Sequence, residues 1–336
     1  MPDKKGSILI ITLWILVILS VLALGLGRRC AINLRIAAYQ RDKLRAEQIA
    51  RAGVKKAIWL LENEASTYDT QNSRGIVLDK RQPQDVFVSA WGTEPGEGFK
   101  IGNFNPSGEF VLGFQDEESR LNINGIGDNQ SAQALSTGVL LKHLLEEKKI
   151  VPAENISKTI ADWADEDVEE GKSYYKNKPF ATEEELLAAL ECFYFVNEKD
   201  TEESRKSARA VYNNLKDVIT VYGTQVNINT ASDDILLILA RAMAQEHSID
   251  IKEENFLVPK IQRKDPFKFQ KDIDDSMFGD SEDEKKIYGF LKQILVPTSR
   301  YFRFTVEAQC RGIAKTITVI YDRGDKDGKI VYWHEK

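Results

Sequence analysis

The sequence is poor in the residues that most often carry catalysis or bind transition metals. It has only three histidines and three cysteines in 336 residues. The histidines form no H-E-x-x-H pair, and the cysteines lack the short spacing of a zinc site. There is no G-x-S-x-G motif, and Gly171-Lys172-Ser173 fails as a phosphate loop because Glu166 stands where the pattern requires glycine. Nothing in these residue types indicates an enzyme.

Charge is absent from the first part of the chain. From Ser7 to Gly27 there is no ionisable side chain over 21 residues. A helix of this length spans about 30 Å, the thickness of the hydrocarbon core of a bilayer. The run is apolar on all sides, whereas a core helix of a soluble domain has an apolar stripe. We expect a membrane-spanning helix, and the sequence has no second run of this kind.

A cleaved signal peptide is the main alternative for this run. Such peptides have a shorter apolar region that ends in small residues, but here the run ends in Arg28-Arg29-Cys30. We therefore expect the segment to stay attached. Lys4 and Lys5 precede the run and Arg28, Arg29 and Arg35 follow it, so the positive charges leave its orientation open.

The charge balance differs between the two parts of the chain. Residues 1–62 carry 11 Lys/Arg against 4 Asp/Glu, while the rest of the chain carries 35 against 48. The basic part is typical of a helix flank beside anionic lipid. The acidic remainder disfavours binding to nucleic acid, which depends on basic surfaces.

The pattern along the chain predicts one long helix, a group of strands, a helical block and a final group of strands. Apolar and small residues continue at helical spacing to about Glu62. Short alternating stretches with glycines follow, and alternation returns in the C-terminal segment. We predict an α+β fold in which a small antiparallel sheet packs on the N-terminal helix and a large all-α domain is inserted between the strands. In this prediction residues 1–6 precede the apolar run, residues 7–27 form the membrane half of the long helix, and residues 28–64 form its second half. Residues 65–124 form the first part of the sheet and residues 298–336 complete it. The insertion covers 125–297, with helical subdomains near 125–220 and 221–297.

A short sequence motif occurs twice, once near the start of the predicted helical block and once within it. The stretches RLNINGIGD at 120–128 and QVNINTASDD at 225–234 share an Asn-Ile-Asn core, and a helical pattern follows each of them. We expect a structural role, with Asn, Ser or Thr side chains capping the next helix and each isoleucine anchoring its start.

Five segments together carry a resemblance to a known family: KKGSILIITLWILVIL, ESRLNIN, ADWADED, VNINTAS and VYWHE. By these segments the chain resembles the K-type minor pseudopilins of type II secretion systems from end to end. The resemblance implies a leader cleaved by prepilin peptidase between Gly6 and Ser7, and methylation of the new terminus. It implies a single-pass inner-membrane protein with its body in the periplasm. The implied partners are the I-type and J-type minor pseudopilins in a tip complex and the inner-membrane assembly platform, with a helix-packing face at Ile32, Ile36 and Tyr39. No nucleic acid or catalytic residue is implied.

Ile11 departs from the usual pilin pattern. Most pilins and pseudopilins carry glutamate at the fifth mature position, and K-type subunits resemble this chain in lacking it. A carboxylate inside the bilayer costs about 2.5–3.5 kcal/mol on insertion scales unless a cation pairs with it. A subunit with no neighbour above it gains nothing from the glutamate, so Ile11 fits the tip of a filament.

Two acidic segments are candidate calcium sites, because hard cations bind several carboxylate oxygens. K-type relatives bind calcium, which adds to the expectation, although no cofactor is required by the sequence. The candidate ligands are Asp162, Asp165, Asp167, Asp272, Asp274 and Asp275. A solvated acidic loop is the alternative for both segments.

Two other functional classes stay open at this point. VNINTAS resembles the start of some helix-hairpin-helix DNA modules, but LLILARAMAQEH follows in place of their glycine hairpin. A membrane-anchored periplasmic enzyme with an unrecognised site is the second alternative. Cys192 and Cys310 could pair in an exported domain, although isolated buried thiols are favoured.

Calcium binding can be tested on the purified protein. If the acidic segments bind the ion, titration calorimetry with calcium gives a binding heat and the melting temperature rises. Replacing Asp165 and Asp167 with asparagine, which keeps side-chain size and removes charge, is expected to abolish the first site. Absence of both heat and thermal stabilisation in the unmodified chain contradicts this prediction.

Overall fold

A computed structural model describes most of the chain. The described residues are 4–63, 76–77, 98–104, 110–126, 135–164, 176–198, 202–249, 267, 269, 271, 273, 281–324 and 328–336.

Helix α1 spans Lys4–Asn63 and is 60 residues long, which corresponds to about 90 Å. It includes a stretch that is long and apolar enough to cross a membrane, and none of that apolar window is buried. The C-terminal third of α1 packs on the sheet through Ala46, Ala50, Val54, Ala57 and Leu61, all at most 6% exposed. This continuous helix agrees with the prediction from periodicity.

Seven of the described strands form one antiparallel sheet on α1. Its central order is β1, β4, β9, β10 and β11, and β2 pairs with both β3 and β9. The strand bounds are β1 Ile76–Val77, β2 Gly98–Phe104, β3 Phe110–Leu112, β4 Phe114–Asp116, β9 Tyr301–Cys310, β10 Ile313–Asp322 and β11 Lys329–Glu335.

The face of the sheet toward α1 is built by alternation along β9. Phe302, Phe304 and Val306 are fully buried in the same core as the inner face of α1. Full burial of side chains of this size contributes roughly 1.5–3 kcal/mol each. Gly53 lets the helix approach closely, since an added Cβ would lie 2.5 Å from Val306 Cγ1.

The inserted block lies between β4 and β9 and has a separate core. Its described helices are α2 Thr137–Glu147, α3 Ala153–Ala164, α4 Glu185–Glu198, α5 Glu202–Leu215, α6 Asp233–Glu246 and α7 Glu282–Ile294. Two short parallel pairs accompany them: β5 Leu121–Asn122 with β6 Ile219–Thr220, and β7 Val226–Asn227 with β8 Leu295–Val296. Strands of two residues are too short to leave a pattern in the sequence, which is why the insertion was expected to be purely helical.

The two ends of the sheet have different surroundings. The turn between β9 and β10 lies beside α1 at Asp42, where Arg311 Nη1 is 3.9 Å from Asp42 Oδ1. At the other end, the Tyr321 hydroxyl donates to the Glu62 carboxylate at the C-terminal end of α1. Tyr301, where the chain returns from the inserted block, pairs with Asp322 at this second end. The block is therefore attached to the end of the sheet farthest from the apolar part of α1.

Candidate functional site

Two features outside the ordinary core distinguish this chain. One is a buried polar joint where the inserted block leaves and rejoins the sheet. The other is the uncovered part of α1. We define the joint as the residues that connect the two units through buried hydrogen bonds and ion pairs: Asp116, Glu117, Glu118, Arg120, Glu183, Thr220, Asn227, Thr230, Ser299, Arg300 and Arg303.

Asp116 ends β4 and binds both crossing points of the chain. Its Oδ2 accepts hydrogen bonds from Ser299 Oγ at 2.5 Å, Thr230 Oγ1 at 2.5 Å and Asn227 Nδ2 at 3.1 Å. Its Oδ1 accepts from the Glu118 amide at 2.8 Å, which caps the short 3-10 helix Glu117–Ser119. A fully buried carboxylate thus joins the end of β4 to the segments that precede α6 and β9.

Glu117 and Arg303 form the charged centre of the joint. Arg303 Nε donates to Glu117 Oε1 at 2.6 Å, and Arg303 Nη2 donates to Glu183 Oε1 at 2.5 Å. Arg120 forms an ion pair with Glu117, and its Nη1 lies 3.4 Å from Glu183 Oε1. Thr220 Oγ1 donates to the second oxygen of Glu117 at 2.5 Å. Two glutamates and two arginines therefore balance each other across the sheet, the turn and the start of α4.

The two glutamates respond differently to this environment. Burial alone would raise the pKa of Glu117, but Arg120, Arg303 and the Thr220 hydrogen bond together lower it to about 2. Burial raises the pKa of Glu183 to about 7, because the nearby Glu117 charge adds to desolvation and Arg120 and Arg303 only partly oppose it. Of these two glutamates, Glu117 is therefore ionised near neutral pH, whereas Glu183 exchanges a proton there.

A fourth acidic side chain, Glu118, fixes the start of β9. Glu118 Oε2 accepts from the Arg300 amide at 2.6 Å, while the Arg300 guanidinium binds both oxygens of Asp322 at 2.5 and 2.7 Å. Gly223 packs against Glu118 with φ +77°, and an added Cβ would lie 2.7 Å from the Glu118 side chain. This position therefore requires glycine both for its backbone conformation and for space.

The chemistry of the joint is structural. Its carboxylates and guanidinium groups lie against each other, and Glu117, Arg120 and Glu183 are at most 8% exposed. Removing one member of a buried ion pair typically destabilises a protein by about 3–5 kcal/mol, because the remaining charge is left unpaired. The joint therefore specifies how the block is attached to the sheet.

The repeated Asn-Ile-Asn segments hold the block by a mechanism that we did not expect. The first Asn of each copy closes a turn: Asn122 Oδ1 accepts from the Asn124 amide at 2.8 Å, and Asn227 Oδ1 accepts from the Asn229 amide at 2.9 Å. The second Asn binds the backbone of a distant phenylalanine through two bonds, Asn124 to Phe180 and Asn229 to Phe267.

The expected capping role was therefore wrong for these asparagines. Only in the second copy does a nearby side chain cap the following described helix, where Ser232 Oγ accepts from the Ile235 amide at 3.4 Å. Ser136 stands at the corresponding position before α2 and makes no such bond. The isoleucines do anchor each segment, since Ile123 and Ile228 are buried in the block core. Each Asn-Ile-Asn segment is thus hydrogen-bonded to the backbone of a residue that is distant in the sequence.

The predicted site residues lie apart from the joint. Gly6, Ser7 and Ile11 are on α1, and Ile11 is 55% exposed. Ile32, Ile36 and Tyr39 are also on α1 and are about half exposed, at 54%, 49% and 58%. The packing role of these three residues is still a prediction, because no partner chain is present.

Of the predicted calcium ligands, only Asp162 lies in the described part of the chain, in the last turn of α3. The others, Asp165, Asp167, Asp272, Asp274 and Asp275, lie outside the described residues. Within the described ranges, no group of three His, Cys, Asp or Glu side chains is arranged to hold a metal ion. Calcium binding is still a prediction from the sequence.

No disulfide links Cys30, Cys192 and Cys310. Cys310 is buried in the core between α1 and the sheet, whereas Cys192 lies on α4 in the inserted block. The pairing that the sequence left open is not formed. The favoured alternative of isolated buried thiols holds for the burial of Cys310, whereas Cys192 is half-buried.

The raised pKa of Glu183 predicts a pH dependence of stability. Between about pH 4.5 and 7 the folded protein binds a proton at Glu183 that the unfolded chain releases, so the free energy of unfolding falls as pH rises through this window. Glu117 stays ionised throughout this range because its pKa is about 2. In Glu183→Gln this contribution, on the order of 1–3 kcal/mol, is expected to disappear.

Urea unfolding of the full chain in detergent, followed across this pH window, measures the effect. Glu202→Gln is the matched control, since Glu202 is exposed in the first turn of α5 and lies outside the joint. It should keep the slope of the unmodified protein. An unchanged slope in Glu183→Gln would show that Glu183 does not take up the proton.

Comparison with known proteins supports the fold. No family model matches the chain, and no curated protein matches it. Among solved structures, a chain in the crystal structure of the GspK–GspI–GspJ complex from the type 2 secretion system of enterotoxigenic Escherichia coli is similar, with a TM-score of 0.51 and 14% sequence identity. The similarity covers 89% of this chain and 99% of that chain. It confirms the predicted pilin-like α+β fold, with a long N-terminal helix on an antiparallel sheet and a helical block inserted between the strands.

Proposed function

We propose that this chain is a minor pseudopilin of a type II protein secretion system. It stands at the tip of a periplasmic pseudopilus, where it initiates or caps assembly and so supports export of folded proteins across the outer membrane. Its role is structural and not enzymatic. The observation that carries the proposal is the fold shared with a chain of the GspK–GspI–GspJ complex over nearly the whole length of both chains.

The N-terminal part of α1 supplies the membrane anchor in this proposal. Prepilin peptidase cleaves between Gly6 and Ser7, and the new terminus is methylated. Residues 7–27 then cross the inner membrane once, with the body in the periplasm. The length of the apolar window, none of which is buried, supports this assignment. The inner-membrane assembly platform takes up the cleaved subunit.

The position at the tip follows from two properties of the subunit. Ile11 offers no carboxylate to the terminal amine of a subunit above it. The inserted block is attached at the end of the sheet near Glu62, which is the end farthest from the membrane segment. A subunit stacked above would meet this block, whereas the side toward the membrane is left for neighbours.

The I-type and J-type minor pseudopilins are the proposed partners in a tip complex. Ile32, Ile36 and Tyr39 form the proposed contact surface on α1, because half-exposed apolar residues at this spacing pack against another helix. Calcium, bound by the acidic segments that contain Asp165 and Asp274, is a proposed ligand of the periplasmic body.

Mass spectrometry of the mature N-terminus tests the proposal most directly. In a host with prepilin peptidase, the full chain is expected to begin at a methylated Ser7. In a strain that lacks the peptidase, it is expected to keep Met1 or Pro2. Gly6→Ala is the conservative comparison and should slow cleavage by reducing access to the peptide bond.

Two results would contradict the pathway. One is retention of the leader in a host whose own major pseudopilin is processed. The other is cleavage beyond Cys30, which would show that residues 7–27 act as a secretory signal and not as an anchor.

A further inference from the structure

The apolar stripe by which α1 packs on the sheet continues toward the membrane. Ala46 and Ala50 are fully buried beneath the sheet. Stepping back along the helix by alternating three and four residues gives Lys43, Tyr39, Ile36 and Ile32. Residues at this spacing lie on one face of a helix. The uncovered face at Ile32–Tyr39 is therefore the same face that the sheet covers further along.

Lys43 is the one charged residue among these four positions. Its side chain is exposed, and it lies between the uncovered apolar residues and the covered ones. The two acids nearest in sequence pair elsewhere: Asp42 with Arg41 at 2.9 Å, and Glu47 with Arg51 at 2.9 Å. The ammonium group therefore stands in an apolar stripe without a carboxylate from either neighbour.

A lipid headgroup does not account for Lys43. It follows Gly27 by 16 residues, which places it about 24 Å beyond the apolar run along the helix. The headgroup layer on one side of a bilayer is only about 5–8 Å thick. Arg28 and Arg29 lie within that layer, whereas Lys43 lies well outside it.

The charge of this helix segment also disfavours a second copy of the chain as the partner. Between residues 28 and 45 the only acid is Asp42, while the basic residues are Arg28, Arg29, Arg35, Arg41, Lys43 and Arg45. Two such segments side by side would repel each other. The stripe instead fits a helix that is apolar opposite Ile36 and Tyr39 and carries negative charge.

We propose that this face binds a partner helix that places a carboxylate opposite Lys43. This inference rests on the proposed function and specifies the chemistry of the partner. A single lysine in an apolar helix seam lowers affinity unless it is paired, and it thereby selects the partner and fixes the register of the two helices. Lys43 is thus a specificity residue, while Ile32, Ile36 and Tyr39 supply apolar contact.

The test uses the full-length chain, co-expressed in a bacterium with the I-type and J-type subunits of the same secretion system. Detergent-solubilised membranes are captured through a C-terminal tag, and the bound subunits are quantified by mass spectrometry. Lys43→Glu is expected to reduce capture of one subunit by about tenfold or more, because like charges then meet in the seam. Lys43→Arg should retain capture. Lys55→Glu is the matched control, since Lys55 is an exposed lysine of α1 outside the stripe.

Rescue identifies the partner residue. Changing the carboxylate of the captured subunit to lysine should restore capture by Lys43→Glu and reduce capture by the unmodified chain. Equal melting temperatures of the Lys43→Glu and Lys55→Glu proteins show that both are folded.

Three results would contradict the inference, and they can be told apart. If the unmodified chain captures neither subunit, the proposed function and this inference both fail. If it captures a subunit and Lys43→Glu does so equally well, only the inference fails. A loss that occurs in anionic membranes but not in zwitterionic nanodiscs assigns Lys43 to lipid and also overturns the inference.

Discussion

The architecture depends on one buried set of opposite charges. Glu117 and Glu183 are desolvated, and folding tolerates them because Arg303 and Arg120 lie against them. These residues come from the sheet, the turn after β4 and the start of α4, so the charges are satisfied only when all three elements are in place. The joint thus specifies one attachment of the block, whereas the apolar cores on its two sides supply most of the stability.

This attachment gives the subunit two different ends. At the end nearer the apolar run, the turn between β9 and β10 lies beside Asp42, and α1 continues without cover. At the other end, Glu62 and Asp322 lie beside the strand ends from which the block departs. In the proposed pseudopilus, lateral contacts through α1 are compatible with this fold, and the block would occupy the end on which another subunit stacks. The proposed position at the tip of a filament depends on this difference between the two ends.

Much of this arrangement could be predicted from sequence because it follows from local patterns. The charge-free run, the helical spacing up to Glu62 and the alternation in β9 each depend on neighbouring residues. The pairing of Arg303 with Glu183 could not be predicted, since 120 positions separate them and neither has a distinctive neighbour pattern. The Asn-Ile-Asn motif was visible, but its ties to Phe180 and Phe267 span 56 and 38 positions, so local capping was the wrong mechanism.

The position of the chain within a filament tests this account most directly. Pseudopili are assembled with a tagged full-length copy of the chain and labelled with gold for electron microscopy. We expect a single label at one end of each filament and no filaments from the purified chain alone. Labels along the shaft, or long fibres formed by this chain by itself, would show that the block does not close one end of the subunit.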